Sequence, residues 1–354
     1  MHDVISRDSS AAADIRSAPV AGDVCTYLTV RTPLRVSFFG GGTDYPEYFE
    51  SKPGAVLGMA ITQHIHLAAL RRPKFLKHEF QISYSRMERV TSIEDIEHPA
   101  IKAALQVMDF HDPIDLNALA SLPSQTGLGS SATFMVGLLN LLSLLKGKQR
   151  TQYELAMEAI RIEREVLHHV CGVQDQLHAA FGGWNCFEFY GQRISQRPVL
   201  APQETLERLT DAMFLVFTGQ VRSAPAAVAA QMEQTLQGKI GEELAASYEM
   251  VARGRAVIED GGPDVVEAFG RLLHQGWILK RSFSPVVSNE NINNLYAHGL
   301  AHGAMGGKLC GAGSGGFLLF VVKPTDQPRF LAAFEPNSVV RVACDWRGTT
   351  PIAA

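Results

Sequence analysis

The sequence predicts an α+β protein with two domains. Runs of β-branched and aromatic residues bounded by glycine or proline indicate strands, and apolar helical stretches occur with them in both halves of the chain. The elements do not alternate regularly, which argues against a doubly wound α/β protein. A length of 354 residues suits two domains. We predict a flexible tail at 1–26, an N-terminal domain at 27–195 and a C-terminal domain at 208–354, separated by a polar stretch with Pro198 and Pro202.

The N-terminal half is predicted to mix strands with helices. Thr151 in the N-cap position and Glu154 three residues later form a capping-box pattern that starts an amphipathic helix. The predicted strands are Tyr27–Phe39, Ala55–Leu70, Phe80–Tyr84, Ile114–Leu119 and Trp184–Tyr190. The predicted helices are Pro99–Met108, Phe134–Leu145, Thr151–His169 and Gly172–Phe181.

The C-terminal half is predicted to be richer in helix. Its predicted helices are Pro225–Leu236, Glu242–Ile258, Pro263–Phe283, Asn289–His302 and a short one near Arg329–Phe334. Its predicted strands are Met213–Phe217, Phe317–Val322 and Val339–Cys344.

Composition narrows the class of partner. Apolar residues make up 46% of the chain, charged residues 19%, and the net charge is −4. This balance is typical of a globular protein and offers no general surface for polyanions, so we expect no nucleic-acid partner. No apolar run is long enough to span a bilayer, and no signal-peptide core precedes the first strand. The five cysteines are scattered, which indicates reduced thiols. We expect a cytoplasmic monomer or homodimer with no membrane partner.

The segment Ser121–Gly137, SLPSQTGLGSSATFMVG, is the most informative part of the chain. A Gly/Ser-rich turn runs directly into an apolar helix, which brings backbone N–H groups, hydroxyls and the positive end of a helix dipole together. Gly127 and Gly129 allow a tight backbone turn, and Ser130 and Ser131 can cap the helix or reach a phosphate-bound cation. An ordinary capped helix start would show the same pattern.

Two further glycine-rich segments favour a phosphate site over an ordinary turn. They are Phe39–Asp44 (FGGGTD) and Gly306–Gly316 (GGKLCGAGSGG). The chain contains no G-x-x-x-x-G-K-[ST] segment and no H-R-D and D-F-G pair, which excludes a P-loop protein and a protein kinase. The sequence therefore predicts a phosphate-binding site of another type.

These glycine-rich segments resemble the signature motifs of the GHMP kinase superfamily, which includes galactokinase, homoserine kinase and mevalonate kinase. Thr32–Tyr45 (TPLRVSFFGGGTDY) is similar to the first motif, Pro123–Ala132 (PSQTGLGSSA) to the second and Lys308–Phe320 (KLCGAGSGGFLLF) to the third, in the family's order. The resemblance implies an N-terminal domain like ribosomal protein S5 domain 2, a ferredoxin-like C-terminal domain and an active site in the cleft between them. It also implies ATP and Mg²⁺ as cofactors.

The resemblance assigns catalytic roles to two residues. CGVQDQ (Cys171–Gln176) is similar to the segment that carries the catalytic aspartate of galactokinases, which makes Asp175 the candidate base. Arg35 falls at the basic position of the first motif, where it would hold Asp175 ionised and offset charge on the transferred group. Asp44 matches a position that holds sugar hydroxyls, although a turn-forming role for Asp44 stays open.

The family's metal ligands correspond to Ser131 and a glutamate on the helix before Asp175. Family spacing favours Glu163 over Glu165, and Mg²⁺ takes few protein ligands, all of them oxygen. The nucleotide-binding residues that the second motif implies are Pro123, Gly127, Leu128, Gly129, Ser130, Ser131 and Ala132.

The substrate side is assigned by resemblance alone. The implied substrate-binding residues are Gly41, Gly42, Thr43, Asp44, Gly183, Arg222, Lys308, Gly313 and Ser314. An existing sugar phosphate would need cations, and the candidates are Arg222, Lys280, Arg281 and Lys308, each of which alone could be a solvated surface charge.

Four segments point to one branch of the superfamily. IEREVL, VQDQ…AFGG, FTGQVRSA and GAMGGKLCGAG resemble the D-glycero-D-manno-heptose 7-phosphate kinases. That resemblance implies ATP-dependent phosphorylation of the C1 hydroxyl of the sugar phosphate. Two alternatives stay open: another sugar-1-kinase acting on fucose, an N-acetylhexosamine or a pentose, and a catalytically silent sugar and nucleotide sensor.

Overall fold

The computed structural model describes residues 26–72, 79–221 and 225–352. Within these ranges the chain forms an eight-stranded sheet and a four-stranded sheet. The strands are β1 (Tyr27–Phe39), β2 (Gly54–Arg71), β3 (Phe80–Ser83), β4 (Met87–Val90), β5 (Ile114–Ala120), β6 (Trp184–Tyr190), β7 (Arg193–Pro198), β8 (Met213–Phe217), β9 (Ala304–Leu309), β10 (Phe317–Val322), β11 (Val339–Arg341) and β12 (Thr350–Ile352). The helices are α1 (Pro46–Phe49), α2 (Pro99–Val107), α3 (Ser130–Leu145), α4 (Gln152–Arg161), α5 (Gln174–Phe181), α6 (Gln203–Asp211), α7 (Pro225–Leu236), α8 (Gly241–Asp260), α9 (Val265–Ser282), α10 (Glu290–Ala301) and α11 (Gln327–Ala332). None of the helices in these ranges is both long and apolar enough to cross a membrane.

The larger sheet positions the start of α3. Its strand order is β12-β1-β2-β5-β3-β4, and β6 pairs with β2 and β7; all pairs are antiparallel except β3 with β5. Helix α3 is apolar on nearly all sides and packs against β1 and β2. Thr133 fixes its first turn, because the Thr133 hydroxyl donates to the carbonyl of Pro33 on β1 at 3.1 Å. Burial of this helix therefore holds its N-terminus beside the middle of β1.

The smaller sheet has the order β11-β8-β10-β9 and is antiparallel throughout. Helix α9 packs closely on β9: a Cβ atom at Gly306 would lie 1.9 Å from the carbonyl oxygen of Gly270 on α9. The glycine-rich segment Gly306–Gly316 is therefore not one continuous loop. Its first residues belong to β9, where glycine allows close contact between a strand and a helix.

Most of the predicted elements are present. Strands β6 and β8 and helix α7 have the predicted bounds, and the capping box is confirmed by hydrogen bonds between Thr151 and Glu154 at both positions. The single helix predicted at Thr151–His169 is wrong. Helix α4 ends at Arg161 and a π-helical turn, Ile162–Val166, follows it.

The end of the chain returns to the larger sheet. Strand β12 pairs with β1, and the backbone N–H of Asp345 donates to the carbonyl of Ala60 on β2 at 3.0 Å. The last described residues thus bond to the larger sheet, while the limits of the two domains, 27–195 and 208–354, stay predictions.

Candidate active site

A cavity of about 610 Å³ lies between the two halves of the chain. All three glycine-rich segments line it, through Gly40–Gly42, Gly127 with Gly129, and Gly311. This size is within the usual range for small-molecule sites. The structure thus brings together three segments that are far apart in sequence.

The start of α3 opens into this cavity with unblocked backbone donors. Gly129 is the N-cap with φ of 81°, and no side-chain oxygen caps the helix. Of the two roles predicted for Ser130, capping the helix or contacting a phosphate, the first is therefore excluded: Ser130 is the first helical residue, and Ser130, Ser131 and Ala132 all line the cavity. The free N–H groups of this first turn carry the positive end of the helix dipole, which suits a phosphate group.

The second and third glycine segments touch each other. Gly127 has φ of 82°, and a Cβ atom there would lie 2.5 Å from the carbonyl oxygen of Cys310. Any larger residue at Gly127 would therefore push the two segments apart as well as strain the backbone.

Asp175 and Arg35 form an ion pair at the cavity wall. Asp175 lies in the first turn of α5 and Arg35 on β1. Arg35 directs two donors to the Oδ1 atom of Asp175, from Nε at 2.7 Å and from Nη2 at 2.6 Å. Its Nη1 atom donates to the carbonyl of Gly127 at 2.8 Å. Among the described residues nothing donates to Oδ2 of Asp175, which faces the Gly129 N-cap: a Cβ atom at Gly129 would lie 3.2 Å from it.

Asp44 is a buried residue that lines the cavity. Its Oδ1 accepts from the N–H of Gly42 at 3.0 Å, and its Oδ2 accepts from Nε2 of Gln174 at 3.0 Å. Burial, and secondly the nearby charge of Asp175, raises the pKa of Asp44. A Cβ atom at Gly172 would lie 2.0 Å from Oδ2, so only glycine fits there. These contacts tie the first motif to the segment that carries Asp175.

The π-helical turn brings Glu163, and not Glu165, to the cavity. Glu163 is buried; its Oε1 accepts from the Ser131 hydroxyl at 2.9 Å and its Oε2 accepts from Nε2 of Gln176 at 2.5 Å. Burial raises the pKa of Glu163. Glu165 instead lines a separate surface groove with Arg161. Ser131 and Glu163 are therefore a pair of adjacent oxygen donors, the type that Mg²⁺ prefers.

Two lysines line the same cavity. Lys308 on β9 is buried, and its Nζ donates to the carbonyl of Phe38 at 2.8 Å. Lys280 near the end of α9 donates to the carbonyls of Leu309, at 2.9 Å, and Gly311. Burial lowers the pKa of Lys308 to about 8. It also lowers the pKa of Lys280, and the charge of Lys308 lowers it further.

Several predicted site residues do not line the cavity. Thr43 bridges the carbonyls of Gly40 and Ala55, and the Ser314 hydroxyl donates to the carbonyl of Val286 at 2.6 Å. The predicted residues outside the lining are Thr43, Pro123, Leu128, Gly183, Gly313 and Ser314, together with the cation Arg281. Direct ligand contact by these residues stays a prediction that the cavity lining does not support. Arg222 lies outside the described residues.

Two glutamines, one on either side of Asp175, were not among the predicted site residues. Gln174 and Gln176 both line the cavity, and each has a buried Oε1 atom that accepts no hydrogen bond in the described part of the chain. Both belong to the CGVQDQ segment, and their polarity was the signal available. Buried acceptors without a donor favour a ligand that brings hydroxyls.

Comparison with known families agrees with the three motifs. The GHMP kinases N terminal domain matches residues 97–183, and the GHMP kinases C terminal domain matches residues 264–337. Among curated relatives, the D-glycero-alpha-D-manno-heptose 7-phosphate kinase of Campylobacter jejuni is 29% identical over 324 residues, covering 86% of this chain and 92% of that protein. A bifunctional fucokinase/GDP-fucose pyrophosphorylase of Arabidopsis thaliana is 26% identical over 328 residues, covering 85% of this chain and 30% of that protein.

Solved structures share the fold. A D-glycero-D-manno-heptose 1-phosphate kinase from Bacteriodes thetaiotaomicron superposes with a TM-score of 0.75 at 22% identity, covering 92% of this chain and 99% of that one. The predicted two-domain α+β fold is therefore confirmed. With both family domains present in order and the cavity between them, the chain belongs to the GHMP kinases and is a phosphotransferase of that family.

Proposed function

We propose that this protein transfers the terminal phosphoryl group of ATP to the anomeric C1 hydroxyl of D-glycero-D-manno-heptose 7-phosphate. The product would be the heptose 1,7-bisphosphate, an intermediate for nucleotide-activated heptose and bacterial surface polysaccharide such as lipopolysaccharide. The name of the relative from Campylobacter jejuni supports the choice of sugar. Because the reaction consumes ATP, we place it in the cytoplasm.

The observation that carries the proposal is the one-sided ion pair of Asp175. Arg35 gives both of its contacts to Oδ1, at 2.7 and 2.6 Å, which orients the carboxylate and leaves Oδ2 turned toward the start of α3. A hydroxyl between Oδ2 and that helix start would be next to a base and a phosphate-binding site at once.

The proton and the phosphoryl group then move in opposite directions. The C1 hydroxyl gives its proton to Oδ2 of Asp175 while its oxygen bonds to the terminal phosphorus of ATP, and the bond from that phosphorus to the bridging oxygen of ADP breaks. The N–H groups of the first turn of α3 and the Arg35 guanidinium lie where negative charge develops.

Ser131 and Glu163 are the residues that would hold Mg²⁺. The Ser131 hydroxyl oxygen lies 2.9 Å from Oε1 of Glu163 at the cavity, and this ion is bound by oxygen atoms of this kind. Bound Mg²⁺ would neutralise charge on the phosphates of ATP. Gln176 orients the Glu163 carboxylate through its amide.

Asp44 and Gln174 are the residues that we expect to bind sugar hydroxyls. The Asp44 carboxylate is fixed by Gly42 and Gln174, and the Gln174 Oε1 atom still lacks a donor within the described ranges. A sugar hydroxyl that donates to this oxygen would complete its hydrogen bonding. A substrate without that hydroxyl would leave the buried oxygen without a donor.

A substrate panel tests the proposal. ADP release should be measured with ATP and each of heptose 7-phosphate, free heptose, fucose, galactose and N-acetylhexosamines. We expect the highest kcat/KM for heptose 7-phosphate. A higher kcat/KM for an unphosphorylated sugar would support another sugar-1-kinase, and nucleotide binding without any turnover would support the sensor.

A further inference from the structure

The two cavity lysines carry donors that the protein leaves unused. An ammonium group has three N–H donors. Lys308 donates one hydrogen bond, to the carbonyl of Phe38, and Lys280 donates two, to the carbonyls of Leu309 and Gly311. Two donors on Lys308 and one on Lys280 therefore have no acceptor within the described residues. Both side chains line the cavity, so a ligand there can reach these donors.

In the described ranges neither lysine of this pair forms an ion pair with a carboxylate, and the Asp175 carboxylate is paired with Arg35 instead. Burial, and secondly the nearby charge of Lys308, lowers the pKa of Lys280, so the two ammonium groups lie close enough to interact. Adjacent buried cations are unfavourable unless an anion joins them.

We propose that Lys280 and Lys308 together bind the phosphate that the sugar substrate already carries, and so select a phosphorylated sugar over a free one. The inference rests on the proposed function. A phosphate monoester dianion matches two cations with spare donors.

Their place in the fold favours the sugar's phosphate over those of ATP. Lys308 donates to the carbonyl of Phe38, next to the first glycine segment, and Arg35 and Asp44 are among its ionisable neighbours. The start of α3 and Arg35 already provide donors for the nucleotide phosphates. The phosphoryl group that ATP transfers is the alternative ligand for these lysines. Lys280 donates to the carbonyl of Gly311, and Gly311 contacts Gly127 in the second glycine segment.

The experiment compares Lys280→Met and Lys308→Met with Arg281→Met in the full chain. Arg281 is a matched control, since it follows Lys280 on α9, stacks on Trp277 and does not line the cavity. KM and kcat should be measured for heptose 7-phosphate, free heptose and ATP. Calorimetric binding of both sugars to the same variants carrying Asp175→Asn gives a readout independent of turnover.

We expect each lysine variant to raise KM for heptose 7-phosphate by about 10- to 100-fold, the effect of losing one hydrogen bond between charged groups. KM for ATP and all constants for free heptose should stay within about threefold of those of the parent protein. Binding of heptose 7-phosphate should weaken to the same extent in calorimetry, and Arg281→Met should change nothing.

Three outcomes would overturn the inference. Equal losses with free and phosphorylated heptose would assign the lysines to the transferred group, and a raised KM for ATP would assign them to the nucleotide. An unchanged preference for heptose 7-phosphate over free heptose, together with a lowered melting temperature, would mean that the lysines are structural. If a Met variant fails to fold, Lys280→Arg and Lys308→Arg, which keep the charge, would be measured in its place. Failure of the proposed function is distinct, because the unmutated protein would then not prefer heptose 7-phosphate.

Discussion

Replacing Asp175 with Asn removes the base while keeping its contacts. The Asn oxygen can still accept the Arg35 Nε hydrogen bond that Oδ1 accepts at 2.7 Å, and it stays beside Nη2, which lies 2.6 Å from Oδ1 in the ion pair. Its NH₂ group then takes the place of Oδ2 and cannot accept a proton. Because a positioned general base contributes about 10²- to 10⁴-fold, the expected rise in activation free energy is about 2.7 to 5.4 kcal/mol.

The loss should appear in kcat and not in substrate binding. Stopped-flow measurement of ADP release gives kcat, and calorimetry gives Kd for ATP and the sugar phosphate; we expect both Kd values within about threefold of those of the parent protein. Asp175→Ala is the comparison variant. It also leaves the buried Arg35 without its contacts to a carboxylate, so we expect a loss of about 1 to 3 kcal/mol in the free energy of unfolding, less than for a fully buried pair because the Asp175 side chain is 26% exposed. A turnover within fivefold of normal for Asp175→Asn would refute the reasoning.

Three further predictions concern the metal donors, the glycine contact and pH. Glu163→Gln should raise the Mg²⁺ concentration for half-maximal activity by about 10- to 100-fold in a Mg²⁺ titration, whereas an unchanged midpoint would exclude Glu163 as a ligand. Gly127→Ala should lower the free energy of unfolding by about 1 to 3 kcal/mol in urea titration, because its Cβ would lie 2.5 Å from the Cys310 carbonyl at positive φ; full stability would contradict this contact. KM for heptose 7-phosphate should rise as pH increases through about 8, because Lys308 is charged below its pKa and neutral above it; a flat profile up to pH 10 would separate Lys308 from phosphate binding.

The sequence predicted the parts of the fold that depend on local patterns. The bounds of β6 and the capping box at Thr151 follow from alternation of apolar residues and from one short polar motif, and both are observed. Strand β9 was missed because its glycines look like loop residues until α9 is packed against it. Strand β12 was missed because three residues carry no periodicity, and its partner β1 is far away in the sequence.

The site was predictable to the extent that motifs fix positions along the chain. Resemblance placed Arg35, Asp44, Glu163 and Asp175, and the structure brings all four to one cavity. It could not show which oxygen of Asp175 stays open, because that depends on how Arg35 approaches from another strand. It also could not separate the cavity lysines from the exposed Arg281, since burial is a property of tertiary packing.

The most direct test of the central claim is the position of the new phosphate in the product. The protein should be incubated with ATP and heptose 7-phosphate, and the sugar product analysed by two-dimensional phosphorus–proton NMR. We predict that the new phosphorus signal couples to the anomeric proton while the original 7-phosphate signal is retained. A new phosphate coupled to any other sugar proton, or a sugar that gains none, would contradict the proposed mechanism.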